Sequence, residues 1–194
     1  MKSRDSKPII KEGSVTYDDY AQLDDGKRYE IADGVLELMS PAPTPKHQVI
    51  STKILATLME SCQLEYIIFA SPIDLILSDT EVRQPDLVIV PRNKIEMITK
   101  RGIEGIPSLV GEILSPPSIK RDRFHKLKVY AQYQIPEYWI IAPANEVLEQ
   151  YALEGRDYQL LNVYGREDTV HSEQLPCASF TMGKILDAAA DLPG

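Results

Sequence analysis

Two short apolar runs in the middle of the chain are each interrupted by a single carboxylate. They are residues 85–90 (PDLVIV) and 109–114 (LVGEIL), and the carboxylates belong to Asp86 and Glu112. Apolar runs of this length are typical of buried strands. Because an ionised carboxylate is costly to bury without a compensating partner, two of them on neighbouring core strands predict a shared cation.

The pattern before these runs predicts a hairpin and a long helix. Residues 28–32 and 35–39 flank Asp33-Gly34, the dipeptide that favours a type I′ turn. A Thr-Pro pair then fits the N-cap and first position of a helix at 45–62, whose apolar residues recur at helical spacing. A hairpin followed by a helix is therefore expected in the first third of the chain.

Helices and strands alternate through the rest of the chain. The predicted segments are a strand within 66–77 with a candidate break at Ser71-Pro72, an exposed connection at 92–107, a helix from Ser118 to about residue 134, a strand at 137–142, a hairpin over 146–164 and a short helix from Gly183. This order predicts an α/β (mixed α+β) fold in which a central mixed sheet is flanked by helices, with a hairpin at each end.

Length and composition place the chain among ordinary globular proteins. Its 194 residues, of which 43% are hydrophobic and 26% charged, suit one domain with a single core. We expect a single domain over residues 1–194. It would consist of a loose arm at 1–15, a core at 16–143, and a C-terminal hairpin with a short helix at 144–194.

Neither a membrane span nor a secretion signal is visible. No apolar run approaches the ~18 residues of a transmembrane helix, and no signal-peptide core follows Met1. The sequence therefore predicts a cytoplasmic protein without a membrane partner. Cys62 and Cys177 lie in different segments without metal-ligand spacing, which predicts reduced thiols with a packing role.

The overall charge argues against a dedicated nucleic-acid-binding protein. A net charge of -8 and a pI of about 4.9 give no broad electrostatic attraction to phosphates. The distribution is uneven, however, because residues 120–128 carry five Lys or Arg against one Asp. A local basic surface can hold phosphate although the whole chain is acidic.

The helix after the second apolar run carries a lysine on its apolar side. At about 100° per residue, Lys126 and Tyr130 fall near Ile119 on the core-facing side, whereas Lys128 lies about 180° away and faces solvent. An ammonium pointed toward the sheet needs carboxylates or a phosphate as partners, and Asp122 supplies only part of that compensation.

Two carboxylates and a lysine at one sheet edge form a site suited to Mg²⁺- or Mn²⁺-assisted phosphodiester hydrolysis. Asp86 and Glu112 would supply hard oxygen ligands, and the backbone carbonyl of Ile113 could supply another. Lys126 would stabilise the charge that develops on the phosphorus centre or orient the nucleophile.

These residues resemble those of a known group. Pro85-Asp86 followed by Glu112 on an apolar strand resembles the PD-(D/E)XK nuclease superfamily. An ordered set of segments is similar to the Uma-two family of endonuclease-like proteins: residues 28–34, 45–48, 84–87 and 112–116, the series Asp122, Lys126 and Tyr130, and residues 137–139. The resemblance covers about residues 15–143. It implies a restriction-endonuclease-like fold and Mg²⁺-dependent cleavage of DNA.

Two positions depart from the family pattern. Leu114 stands where the superfamily carries the strand lysine, and in the resembling family a lysine that has migrated onto the helix replaces it. Lys126 is placed to do so. The last core strand ends with Ala142 before Pro143, where the family usually carries Asp.

Each site residue also has a plainer interpretation. Asp86 follows a proline at a strand start, where Asp often binds backbone amides in a turn. Glu112 could form a structural salt bridge with Lys126 without any metal. Glu30 lies on the opposite strand face from its neighbours, which could be solvent or the rim of the site, where it would be an outer metal ligand.

Other residues that could take part in catalysis or metal binding are less distinctive. His47 and Gln48 begin the first long helix and could reach the site or cap the helix at the surface. His125 and His171 lack partners at metal-ligand spacing, and Tyr138 and Trp139 are expected in the core.

Three functions remain open on the sequence. The first is a Mg²⁺-dependent endonuclease acting on DNA through Asp86, Glu112, Lys126 and Glu30, for which cleavage of both strands would favour a two-fold dimer. The second is a catalytically silent, homodimeric module that binds nucleic acid or protein. The third is hydrolysis of another phosphodiester. Glycine-rich phosphate loops, zinc-ligand clusters and Ser-His-Asp patterns are absent from the sequence.

Overall fold

A computed structural model describes residues 14–39 and 42–193, so most of the predicted arm at 1–15 lies outside the described residues. The described residues form thirteen strands: β1 (Tyr29–Ala32), β2 (Val35–Leu38), β3 (Tyr66–Ala70), β4 (Leu75–Ser78), β5 (Glu81–Arg83), β6 (Leu87–Pro91), β7 (Ile103–Glu104), β8 (Leu109–Ile113), β9 (Glu137–Ala142), β10 (Val147–Glu154), β11 (Asp157–Tyr164), β12 (Thr169–Val170) and β13 (Phe180–Thr181).

The described residues also form four α-helices: α1 (Tyr17–Tyr20) before β1, α2 (Pro45–Cys62) and α3 (Leu127–Gln132) between strands, and α4 (Met182–Leu186) after β13. A π-helical segment, Arg121–Lys126, runs directly into α3, and 3-10 turns occupy Arg92–Met97 and Asp187–Ala189. The mixed α/β class predicted from the sequence is confirmed. No helix within the described ranges combines the length and the apolar character needed to cross a bilayer.

The central sheet has six strands in the order β11-β10-β9-β8-β6-β3. Strands β8 and β9 run parallel, and the other neighbours are antiparallel, so the sheet is mixed as predicted. Leu87 is paired with Gly111 across β6 and β8. This register brings Asp86, just before β6, next to Glu112 near the end of β8.

Alternation along the strands sends both carboxylates to one face of the sheet. Val88 and Val110 lie two residues from Asp86 and Glu112 and therefore on the same face of the sheet. They pack in a cluster with Tyr130 and with residues of β4 and β7. The opposite face packs against α2, α4 and the segments around them. Glu112 therefore faces α3 and the second sheet, whereas Asp86, which precedes β6, lies within reach of His47 at the start of α2.

The second sheet has the order β2-β1-β5-β4-β7 and contains the N-terminal hairpin. Asp33 and Gly34 adopt φ values of 48° and 74°, as the predicted type I′ turn requires. Strands β3 and β4 belong to different sheets, which confirms the break near Ser71-Pro72. The sequence pattern missed β5 and β7, because strands of three and two residues are too short to show periodicity.

The helix that carries Lys126 differs from its prediction. Ser118 was expected to cap it, but Ser118 Oγ instead exchanges hydrogen bonds with the backbone of Ser115. Ile119, placed on the core side by the helical wheel, is 45% exposed. A π-helical segment has more residues per turn than the α-helix that the wheel assumed, which explains why positions before it are rotated.

The cysteine prediction was wrong. Cys62 at the end of α2 and Cys177 before β13 form a disulfide across a sequence separation of 115 residues. The two segments meet because α2 packs against the C-terminal part of the chain in one apolar cluster. Local spacing carries no information about such a long-range contact.

Candidate active site

Asp86 lies directly before β6, an interior strand of the central sheet, and lines a cleft that is open to solvent. Its Oδ2 accepts a hydrogen bond of 2.8 Å from the backbone N–H of Ile113. The carboxylate keeps part of its surface exposed and lines the cleft together with Glu112. This amide lies in β8, 27 residues away, so the contact is not the local turn bond of the plainer interpretation of Asp86.

His47 reaches the same point from the first turn of α2. Its Nε2 lies 3.1 Å from Asp86 Oδ2 and 3.1 Å from the carbonyl oxygen of Ile113. Since a carbonyl oxygen can only accept, the N–H of Nε2 donates between the two oxygens. Burial lowers the pKa of His47, but the hydrogen bond and charge of Asp86 and the Ile113 carbonyl outweigh it and raise the pKa.

Glu112 is buried at the base of the cleft. Its Oε1 accepts hydrogen bonds from Lys126 Nζ at 2.7 Å and from the hydroxyl of Tyr130 at 2.9 Å. Burial raises the pKa of Glu112 to about 8; Lys126 opposes this shift, whereas the charges of neighbouring carboxylates, Asp122 first among them, add to it. A further positive charge at this carboxylate would therefore be stabilising.

Lys126 is the buried cation that the helical wheel predicted. It is 1% exposed, whereas Lys128 lies at the surface. Asp122 and Tyr130, four residues before and after it, are buried on the same side. Burial lowers the pKa of Lys126, but the charges of Glu112, Glu30 and Asp122 outweigh burial and raise it, so the ammonium stays charged.

Glu30 lies in β1 of the second sheet and is buried. Its Oε1 is 3.2 Å from Lys126 Nζ and accepts a 2.9 Å hydrogen bond from the backbone N–H of Gln84, while its Oε2 is 3.4 Å from Arg83. Burial would raise the pKa of Glu30, but Lys126, the Gln84 amide and Arg83 together lower it to about 2. Glu30 thus lies neither in solvent nor on the rim of the cleft; it supports the lysine from below.

The oxygen donors of this cleft fit a hard divalent cation. Asp86 Oδ2 and the Ile113 carbonyl oxygen both contact the N–H of His47 Nε2, and a cation at that position could bind the same two oxygens. Glu112 lines the same cleft. Within residues 14–39 and 42–193, no group of three or more His, Cys, Asp or Glu side chains is arranged to hold a metal. Mg²⁺ needs no such cage, because it typically uses one or two carboxylates with water and substrate oxygens.

Sequence reasoning left some of these contacts open. It placed His47 equally at the site or at the surface, because the Pro at the first helical position predicts where α2 begins but not what that end contacts. The support of Lys126 by Glu30 was not predicted, since it joins two sheets distant in sequence. His125 and His171 are exposed, and Tyr138 and Trp139 are buried in the core, as expected.

Comparison with known proteins identifies the fold and the family of this chain. The family model Uma2, described as "Putative restriction endonuclease", matches residues 17–183. A crystal structure of a "putative nuclease belonging to DUF820" from Anabaena variabilis ATCC 29413 has a TM-score of 0.73 and 16% sequence identity, covering 90% of this chain and 99% of that chain. At this identity the likeness establishes the fold alone. No curated protein matches the chain. Because the family model spans most of the sequence, the chain belongs to the Uma2 family, the Uma-two family that its motifs resemble.

Proposed function

We propose that this protein is an endonuclease that hydrolyses phosphodiester bonds of DNA with Mg²⁺ or Mn²⁺ at the cleft of Asp86 and Glu112. One observation carries the proposal: two hard oxygens, Asp86 Oδ2 and the Ile113 carbonyl, converge on one position beside a carboxylate that is paired with a buried lysine. A purely structural ion pair would not need the neighbouring oxygens to face an open cleft.

Asp86, Glu112 and the carbonyl of Ile113 would hold the cation. The two hydrogen bonds that Glu112 receives from described residues both go to Oε1, so Oε2 is left for the cation. When bound, a divalent cation supplies Lewis-acid activation of a water molecule and of a phosphoryl oxygen. The His47 side chain would have to rotate away from Asp86 Oδ2 and the Ile113 carbonyl oxygen to make room for the cation.

Lys126 takes the part of the strand lysine in this proposal. Leu114, the residue at the strand position, packs against the apolar cluster of the sheet and offers no charge. Lys126 Nζ instead approaches Glu112 from the π-helical segment. Glu30 and Tyr130 restrict the ammonium and the Glu112 carboxylate, so that Lys126 can stabilise charge on the phosphoryl group without reorganisation.

Divalent metal should stabilise the folded protein. Binding at about 100 times the dissociation constant contributes about 2.7 kcal/mol, which raises the melting temperature of a chain of this size by roughly 5–10 °C. Asp86→Asn and Glu112→Gln should each remove most of this shift, and Asp24→Asn, an exposed carboxylate outside the cleft, should retain it. Differential scanning fluorimetry with Mg²⁺, Mn²⁺ and EDTA measures the shift.

Cleavage of supercoiled plasmid DNA tests the activity itself. Wild-type protein should nick or linearise the plasmid with Mg²⁺ or Mn²⁺ and lose the activity with EDTA. A melting temperature unchanged at saturating metal, together with an intact plasmid, would refute the proposal.

A silent binding module is the second candidate. It is favoured by the ion pair between Glu112 and Lys126, whose Nζ lies 2.7 Å from Glu112 Oε1, because this pair forms without metal. In that case metal would not shift the melting temperature, while fluorescence anisotropy would still detect binding of DNA or of a second copy.

A further inference from the structure

An exposed arginine in the same cleft is held in place by a neutral oxygen. Arg28, just before β1, lines the cleft with Asp86 and Glu112. Its Nε and Nη2 donate to Gln84 Oε1 at 3.2 Å and 2.5 Å, and its Nη2 also donates to Ser71 Oγ at 3.3 Å. The guanidinium is therefore oriented without being neutralised.

The contrast with Arg121, the other arginine of the cleft, is informative. Arg121 Nε lies 3.4 Å from Asp122 Oδ1, so its charge is compensated by a buried carboxylate. Within residues 14–39 and 42–193, Arg28 forms no ion pair shorter than 4.0 Å, and Asp74, which Gln84 contacts, acts on its charge only from a longer distance. Its positive charge stays available to an anion from solvent.

Gln84 is built to orient Arg28. It is 7% exposed, and its Nε2 donates to Asp74 Oδ1 at 2.7 Å and to the hydroxyl of Tyr20 at 3.3 Å. These two acceptors turn the amide so that Oε1 faces the guanidinium. The backbone N–H of the same residue donates to Glu30, which contacts Lys126.

We infer that Arg28, oriented by Gln84, binds a second phosphate of a DNA strand whose neighbouring phosphate lies at Asp86 and Glu112. The inference rests on the proposed function and names its substrate class: a polynucleotide rather than an isolated phosphodiester. A guanidinium with free donors binds phosphate in a planar, two-pronged geometry. Contacts of this kind set the position of the strand without reading its bases.

Two substrates separate the role of Arg28 from general catalysis. Arg28→Gln should lower kcat/KM for a DNA oligonucleotide about 10- to 100-fold, the effect of removing hydrogen bonds to a charged group. Hydrolysis of bis(p-nitrophenyl) phosphate, which has one phosphodiester group, should stay unchanged. Arg92→Gln is the matched control, because Arg92 is also exposed and also donates to a neutral oxygen, that of Gln63, outside the cleft.

DNA binding without metal supplies a readout independent of activity. In fluorescence anisotropy titrations, Arg28→Gln should weaken binding and reduce the slope of log K against log salt by about 0.9, as expected for the loss of one phosphate contact. Arg92→Gln should leave the slope as in wild type.

Gln84→Met tests the positioning role of the amide. Because this variant leaves the Arg28 guanidinium only its bond to Ser71, it should weaken DNA binding and lower kcat/KM for DNA more than for bis(p-nitrophenyl) phosphate. The double variant with Arg28→Gln should lose no more than about twofold beyond Arg28→Gln alone, since the two residues act through one contact. If the losses of the two single variants multiply in the double variant, Gln84 does not act through Arg28.

The outcomes distinguish this inference from the proposed function. If wild-type protein cleaves DNA but Arg28→Gln behaves like Arg92→Gln in both assays, the inference is overturned and the endonuclease proposal stands. If cleavage is absent but Arg28→Gln alone weakens binding and reduces the salt slope, the phosphate site stands and the activity fails. If wild-type protein does not bind DNA, the inference is overturned.

Discussion

Replacing Lys126 by methionine is expected to reduce DNA cleavage about 100- to 1000-fold, whereas Lys128→Met should leave the turnover of saturating DNA unchanged. The two side chains have the same chemistry and lie two residues apart. Lys126 is buried against Glu112 and Glu30, and Lys128 is in solvent. Lys128→Met should alter only the salt dependence of DNA binding, since it removes a surface charge.

Loss of activity must be separated from loss of folding in this comparison. Without Lys126, the carboxylates of Glu112 and Glu30 lose a shared ammonium, and breaking a buried ion pair costs about 3–5 kcal/mol. Circular dichroism and thermal melts should identify a temperature at which the Lys126→Met protein is folded, and plasmid cleavage is compared there. Equal losses in the two variants, or a loss only with Lys128→Met, would show that the active lysine is not Lys126.

Replacing Glu30 by glutamine should destabilise the protein by about 3 kcal/mol at pH 7. The pKa of Glu30 is about 2 in the folded protein, against an ordinary value of 4.5, and each pKa unit corresponds to about 1.4 kcal/mol. Because the folded state binds this proton more weakly than the unfolded state, the stabilisation is complete above pH ~4.5. It is lost as the pH falls toward 2.

The pH profile therefore distinguishes Glu30 from a surface carboxylate. Urea denaturation of wild-type and Glu30→Gln proteins between pH 2 and 7 should give curves that differ most above pH ~4.5 and converge near pH 2. Glu37→Gln is the matched control, because Glu37 pairs with Glu30 across the hairpin and also lies near Arg83, at 3.7 Å, but its side chain is 45% exposed. A stability difference independent of pH would show that Glu30 is not held as a buried carboxylate.

Glu30→Gln should also lower turnover by about 10- to 100-fold, the range for residues that support a metal site. Glu30 touches Lys126 and not the open cleft, so the effect would come through the position of the ammonium. Turnover is compared at saturating metal and at a temperature where the variant is folded. A wild-type rate would remove Glu30 from the mechanism.

Local chemistry was enough to predict several elements from the sequence. The Asp33-Gly34 turn and the Thr-Pro start of α2 depend on backbone preferences of the residues themselves, and both occur as predicted. The inward direction of Lys126 was predicted from a helical wheel, and Lys126 is buried with Asp122 and Tyr130, although Ile119, the reference residue of the wheel, is exposed.

Long-range packing decided the rest. The Cys62–Cys177 disulfide, the short strands β5 and β7 and the burial of Glu30 all depend on segments that meet only in the folded chain. The register of β6 on β8 was needed to place Asp86 beside Glu112, and a shift of one residue would have sent one carboxylate to the opposite face.

The sequence by itself determined the α/β class, the family resemblance and the candidate site residues, because these follow from local preferences, periodicity and the order of motifs. Only the tertiary structure decided that His47 stands between Asp86 and Ile113, that Glu30 supports Lys126 from a second sheet, and that Gln84 orients Arg28. These contacts join segments far apart in the chain, and their distances are set by how the two sheets and the helices pack, which no local pattern encodes.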